Sequence, residues 1–421
     1  MRILIRDIKR VVQVLPEGVQ ECYSDGRRVR SGAEMSVVDS IDNAYLFIRN
    51  GKIESYGKMS DFPESDNRAD IVINGSGRLL FPSFCDSHTH LLYAGSRERE
   101  FFDKINGLTY KEIAARGGGI LNSAALLRDT SSEVLLENLM MRISEIAEKG
   151  TGAVEIKSGY GLNAEEELRM LRIIKKASEG SYLTVKSTLL GAHAIPSEYR
   201  GDSEAFANVV INEMIPVAAT EGLADFIDVF CEDGFFTTTD TDRILNAAIK
   251  YGLRPKVHAN QLSFSGGVQV AAKYGAISAD HLESTSVEEF KLLSESGTMP
   301  VLLPGSSLFL GMEFAPGRQM IDYGLPVAIA SNYNPGSSPS GDLRFMMFLG
   351  ALNYKMNINE LINSVTLNAA SAMDLDSTHG IIAPGHPADL FLTKPIAGEE
   401  FFVYSYTTPL IEKIILKGKI Q

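Results

Sequence analysis

Cysteine is scarce in this 421-residue chain: Cys22, Cys85 and Cys231 stand far apart without a paired spacing. That argues against a disulfide framework and against a thiolate zinc site, and points to a reducing compartment. Long apolar runs are absent too, since no stretch approaches the roughly 18 uninterrupted residues of a membrane-spanning helix. The short N-terminal apolar run is broken by Arg2, Arg6 and Asp7, so it lacks the core of a signal peptide, and the expected location is the cytoplasm. Positive charge is in deficit, with a formal net charge of −13. This speaks against nucleic acid and anionic membrane as partners, because both require clustered Lys and Arg. It leaves room for a small anionic substrate, which one buried arginine can hold against the distant field. There is no repeat of solenoid length and no low-complexity tract.

What is present is the composition of an ordinary enzyme, 44% hydrophobic and 22% charged. The length suggests one large domain with a smaller companion. The first eighty residues read as short strands at 2–5, 44–49, 52–56 and 71–74, with Asn50-Gly51 as a two-residue hairpin turn. Thereafter short apolar runs at 81–85, 153–157, 183–191, 226–231, 254–258, 276–281, 299–303 and 326–331 alternate with amphipathic segments. Apolar strands without polar alternation are buried on both faces, as in parallel sheets flanked by helices. Eight such units predict an α/β fold of (β/α)8 TIM-barrel type over residues 81–375. Strand character returns at 380–392 and 411–416. Residues 1–80 and 376–421 are therefore expected to build a small β-sandwich-like domain together.

The stretch Phe84-Cys85-Asp86-Ser87-His88-Thr89-His90 ends the first barrel strand. Two imidazoles two residues apart on an extended strand project to the same side and can grip one metal ion. Taken alone, such a pair is more often solvated or satisfied within a core. Of seven histidines, however, His88, His90, His193, His258 and His281 all fall at or just beyond the C-terminal ends of proposed strands, where enzymes of this fold place catalytic groups. His379 and His386 lie outside the barrel and are expected at the surface.

These residues, with a polar position after the eighth strand, resemble the amidohydrolase superfamily. Further blocks narrow the likeness: Ala94-Gly95-Ser96-Arg97-Glu98, Gly117-Gly118-Gly119-Ile120, Glu155-Ile156-Lys157-Ser158-Gly159-Tyr160-Gly161, Gly191-Ala192-His193, Ser278-Ala279-Asp280-His281-Leu282 and Asn334-Pro335-Gly336-Ser337-Ser338-Pro339. Together they resemble the imidazolonepropionases of histidine degradation. The resemblance implies hydrolysis of 4-imidazolone-5-propanoate to N-formimidoyl-L-glutamate on a single Zn or Fe ion, by a homodimer. It implies His88, His90 and His258 as metal ligands, with the residue at 332 as a further ligand. Arg97 would meet the propanoate carboxylate, although without the resemblance a surface ion pair with Glu98 or Glu100 is the favoured reading. Tyr160 and Tyr110 would reach the substrate, while His193 and His281 would polarise the carbonyl. Asn334, Gly336 and Ser337 would cradle substrate or product.

Two positions depart from that pattern. Asn332 stands where the family has an aspartate that ligates the metal and takes the proton from water, and Gln261 stands where some relatives carry a ring-contacting glutamate. An amide oxygen can ligate, but it has no useful basicity near neutral pH. Two competing expectations therefore stay open: a hydrolase or deaminase of another cyclic amide or heterocycle, and a silent homologue that binds without turnover.

Overall fold

The structure is a computed structural model that describes residues 1–15, 26–63, 68–108, 112 and 118–421. Eight parallel strands follow one another in sequence and in space: β6 (Phe84–Asp86), β7 (Thr151–Lys157), β8 (Thr184–Ala192), β9 (Phe226–Cys231), β10 (Arg254–Ala259), β11 (Ser278–His281), β12 (Met299–Leu302) and β13 (Ala328–Ile329). Helices occupy the connections, and every residue of β6, β7, β9, β11, β12 and β13 is buried. Beyond β13 the sheet closes on β6 through backbone bonds: Asn332 N donates to His88 O at 3.0 Å, and His90 N donates to Tyr333 O at 2.9 Å. The closing seam thus runs through the residues of chemical interest. The expected eight-unit barrel is present.

The chain ends form one mixed sheet, ordered β16-β15-β14-β5-β1-β2-β3, with β4 beside β1. Its members are β1 (Arg2–Val12), β2 (Ser40–Arg49), β3 (Lys52–Lys58), β4 (Ile71–Asn74), β5 (Leu79–Pro82), β14 (Leu390–Thr393), β15 (Ile411–Leu416) and β16 (Lys419–Ile420). Asn50 and Gly51 make the β2–β3 turn with φ of 50° and 84°, the left-handed angles for which Asn-Gly is suited. Phe81 pairs with Phe391 within this sheet, and the chain enters the barrel only after Ser83. Phe81, Phe391 and Phe402 stack with centroids 5.2–5.7 Å apart, and Phe84 of the barrel leans on Phe391 at 4.9 Å. This apolar joint fastens the terminal sheet to the barrel.

Two local expectations need correction. The amphipathic segment 205–219 is not one continuous α-helix: it runs as α-helix Ser203–Val209, π-helix Val210–Met214 and α-helix Ile215–Thr220. Pro216 has no N–H to continue an i→i−4 ladder, and a wider turn precedes it. His379 is not at the surface. It is 7% exposed, and its Nε2 lies 3.0 Å from Thr184 Oγ1 and 3.4 Å from Asp389 Oδ2, joining the C-terminal segment to β8. His386 is half-buried. Cys85 and Cys231 are free and buried, and Cys22 lies outside the described residues.

Candidate metal centre and substrate cavity

After β6 the chain stays extended because Thr89 is held on both sides. Its Oγ1 donates to Glu155 O at 2.5 Å, and its carbonyl accepts from Lys157 N at 2.9 Å. His88 and His90 therefore share a face. His88 is fully buried, with Nδ1 2.6 Å from Asp280 Oδ2 and an Nε2 that has no hydrogen-bond partner among the described residues. His258, next to last in β10, places Nδ1 in ion-pair contact with Asp228 Oδ2 at 2.9 Å, and both its ring nitrogens are buried without a hydrogen-bond partner among the described residues. His281, ending β11, places Nδ1 3.5 Å from Glu283 Oε1. One ring nitrogen each from His88, His258 and His281 come within 4.8 Å of one another. His90 completes the ring of imidazoles, with centroid distances of 5.3 Å to His88 and 5.6 Å to His258. It stacks on His193 at 5.0 Å.

A carboxylate behind Nδ1 fixes the tautomer and frees Nε2 as a lone-pair donor, the support that metal-bound histidines usually have. Burial, reinforced by Lys157 for His88 and by His193 for His90, holds both imidazoles well below the ordinary histidine range. Burial also lowers His258, against the pull of Asp228, and sets His193 at about 3. Neutral imidazoles with orphaned, converging nitrogens fit one divalent metal ion.

Beneath the histidines lies a layer of fully buried charge. Lys157 Nζ bonds Glu155 Oε1 at 2.6 Å and Asp228 Oδ2 at 2.8 Å. Lys256 Nζ bonds Glu155 Oε2 and, at 3.0 Å, Ser87 O. Burial opposes the charge of Lys157, yet Asp228 and Glu155 hold its ammonium above the ordinary lysine value. Both lysines belong to strands that the sequence reading treated as apolar. Their signal is the two-residue spacing Glu155/Lys157 and Lys256/His258, which points each pair to one face of its strand.

Above the histidines opens a cavity of about 240 Å³. His90, His193, His258 and His281 line it, together with Arg97, Tyr160, Gln261, Asn332, Asn334, Gly336 and Ser337. Of the residues singled out in sequence, His88 lies at the centre rather than in the lining, and Tyr110 lies outside the described residues. Arg97 lines the cavity and also pairs with Glu100 at 2.5 Å, an ion pair that is largely buried rather than at the surface. Asn332 is 3% exposed and adopts φ 52°, a left-handed conformation open to Asn and Asp. Asn334 shapes the following loop: its Nδ2 donates to Asn332 O at 2.6 Å and Oδ1 at 3.1 Å, and its Oδ1 accepts from Gly336 N and Ser337 N, both at 2.8 Å. A Cβ on Gly336 would press on Arg97 Nη1, so a larger residue here would displace the end of the Arg97 side chain.

Sequence reasoning missed several parts of this site. Lys104, Phe230 and Phe235 line the cavity, and the two phenyl rings stand 4.5 Å apart as an aromatic wall. Phe230 sits near the C-terminal end of β9, the position that identified the histidines. Glu167, on the helix Ala164–Gly180, is fully buried and accepts from Gly159 N (2.8 Å), Gly161 N (2.7 Å) and Leu162 N (3.0 Å). These bonds pin the loop that carries Tyr160. Gly159, at φ 110°, presents its carbonyl to His193 Nδ1 at 2.9 Å. Glu167→Ala is expected to lower stability by about 3 kcal/mol, because it leaves buried N–H groups unpaired. Denaturant unfolding measures this, and an unchanged midpoint would remove the assigned role.

A barrel with a histidine ring at its C-terminal mouth suits a hydrolase that uses a metal ion, and the family described as "Amidohydrolase family" matches residues 79–420. Among solved structures the fold is similar to triazine hydrolase from Arthobacter aurescens (TM-score 0.73, 16% identity, 100% of this chain and 94% of that one). It is also similar to an adenosine deaminase from Xanthomonas campestris with bound zinc (TM-score 0.69, 15% identity, 99% and 92%). At greater sequence likeness, the chain is 47% identical to imidazolonepropionase of Christiangramia forsetii over 100% of both chains. It is 41% identical to that of Thermoanaerobacter pseudethanolicus over 87% and 88%. The chain belongs to the imidazolonepropionases within the amidohydrolase family. No helix among the described residues is long and apolar enough to cross a membrane.

Proposed function

We propose that this chain hydrolyses the ring of 4-imidazolone-5-propanoate to N-formimidoyl-L-glutamate in histidine degradation. The observation that carries the reading is one cavity with a guanidinium, Arg97, in its wall and neutral imidazoles at its base. His88, His90 and His258 would hold one Zn or Fe ion with the Asn332 amide oxygen, and His281 stands close enough to share the same centre. When bound, the ion supplies Lewis acidity and eases ionisation of water near neutral pH.

The chain's own residues do the rest. Arg97 offers parallel N–H donors to the propanoate carboxylate. Phe230 and Phe235 flank a planar ring, and Gln261 can donate to and accept from its edge. His193, with Nδ1–H committed to Gly159 O, and His281 face the carbonyl whose carbon takes the water oxygen as the ring C–N bond breaks. Tyr160 contacts the substrate, and Asn334, Gly336 and Ser337 hold substrate or product. Tyr110 is assigned to the same pocket on the family resemblance alone. The net charge speaks against nucleic acid and anionic membrane as partners, the scarce, unpaired cysteines support the cytoplasm, and the family resemblance supports a homodimer.

Arg97→Ala is expected to raise KM for 4-imidazolone-5-propanoate about 10- to 100-fold, the loss of charge-assisted hydrogen bonds. The change in kcat should be smaller. Unchanged affinity would remove the carboxylate assignment. Asn332 favours a second reading, a chain that binds this substrate without turning it over, and measuring turnover beside affinity separates the two.

A further inference from the structure

We infer that Lys104 is a second cation of the carboxylate subsite, set two helical turns beyond Arg97, and that it selects for an anionic tail on the ligand; this rests on the reading of the cavity given above. Arg97 caps the helix Glu98–Ile105, and Lys104 lies in its last turn. Positions 97, 100 and 104 fall on one helical face, and both cations line the cavity. The acid between them is already engaged: Glu100 Oε2 pairs with Arg97 Nη2 at 2.5 Å, and its Oε1 accepts from Gly119 N at 3.0 Å. The Lys104 ammonium makes no hydrogen bond or ion pair among the described residues, and Glu100 acts on it only as a nearby charge. No Asp or Glu among the described residues lines the cavity.

One carboxylate therefore faces two cations, which leaves a net positive charge at the wall. Arg97 Nε is itself buried without a partner. Partial burial and the nearby charge of Arg97 both push the Lys104 ammonium below its ordinary value, a cost that a bound anion would relieve. Each carboxylate oxygen has a second lone pair, so a ligand carboxylate held by the parallel donors of Arg97 can also accept from the Lys104 ammonium. An uncharged ligand of the same shape gains nothing from Lys104.

The test uses calorimetric titration of the metal-loaded full-length protein with 3-(imidazol-4-yl)propanoate and with its uncharged methyl ester, so that it does not depend on turnover. Lys104→Ala is expected to weaken the carboxylate about 5-fold and to leave the ester unchanged, and Lys104→Arg to restore carboxylate affinity. If Lys104→Ala binds the carboxylate like the unsubstituted chain while Arg97→Ala does not, this inference fails and the reading of the cavity stands. If neither substitution matters, both fail. Equal loss of carboxylate and ester in Lys104→Ala would show a structural role and overturn the inference as well.

Discussion

Asn332→Asp is expected to raise kcat for 4-imidazolone-5-propanoate by about 10² to 10⁴, the usual contribution of a positioned general base. The substitution changes almost nothing else. Aspartate accepts the φ of 52° that Asn332 adopts. The backbone bond from residue 332 to His88 O does not involve the side chain, and Asn334 Nδ2 can donate to a carboxylate as it does to the amide oxygen. Nor does it alter Arg97 or the aromatic wall, so KM should move little. The position is 3% exposed and lines the cavity with His90, His193, His258 and His281, so a carboxylate there would be desolvated and set among imidazoles. Equal rates for the two proteins at equal metal loading would show that another group takes the proton.

His258→Ala is expected to abolish stoichiometric metal binding. His258 is the central ring of the cluster, 4.4 Å from His88, 5.4 Å from His281 and 5.6 Å from His90 by centroid. Removing it takes away one ligand and also leaves Asp228 Oδ2 without its imidazole. The loss should exceed the roughly 10- to 100-fold that follows from deleting a hydrogen-bond partner of a metal-bound histidine. Elemental analysis after identical Zn or Fe loading measures it, with His379→Ala as a control that alters a buried histidine outside the cluster. One ion per chain retained in His258→Ala would contradict the ligand assignment.

Much of the barrel was legible because its strands are runs of Val, Ile, Ala and Phe, and such runs have few alternatives once both faces are buried. The site was legible for a related reason. If strands run parallel, their C-terminal ends converge, so His88, His258 and His281 meet although some 190 residues separate the first from the last. The charged layer was not legible, since lysine and glutamate are normally solvated and only the assembled lumen gives Lys157 two carboxylates at once. Glu167 and Lys104 were hidden differently: both sit on helices whose polar faces look like ordinary solvent faces until the neighbouring loop or cavity is in place. His379 looked superficial because it lies outside the barrel, and its burial depends on contacts with Thr184 and Asp389 that no local pattern encodes.

The most direct measurement is product analysis by proton NMR of 4-imidazolone-5-propanoate incubated with the metal-loaded chain, with the metal-free chain, and with metal-loaded Asn332→Asp. The account predicts N-formimidoyl-L-glutamate in the metal-loaded samples, fastest with Asn332→Asp, and none above the uncatalysed background without metal. Substrate left intact by both metal-loaded proteins, with an ion shown to be bound, would contradict it.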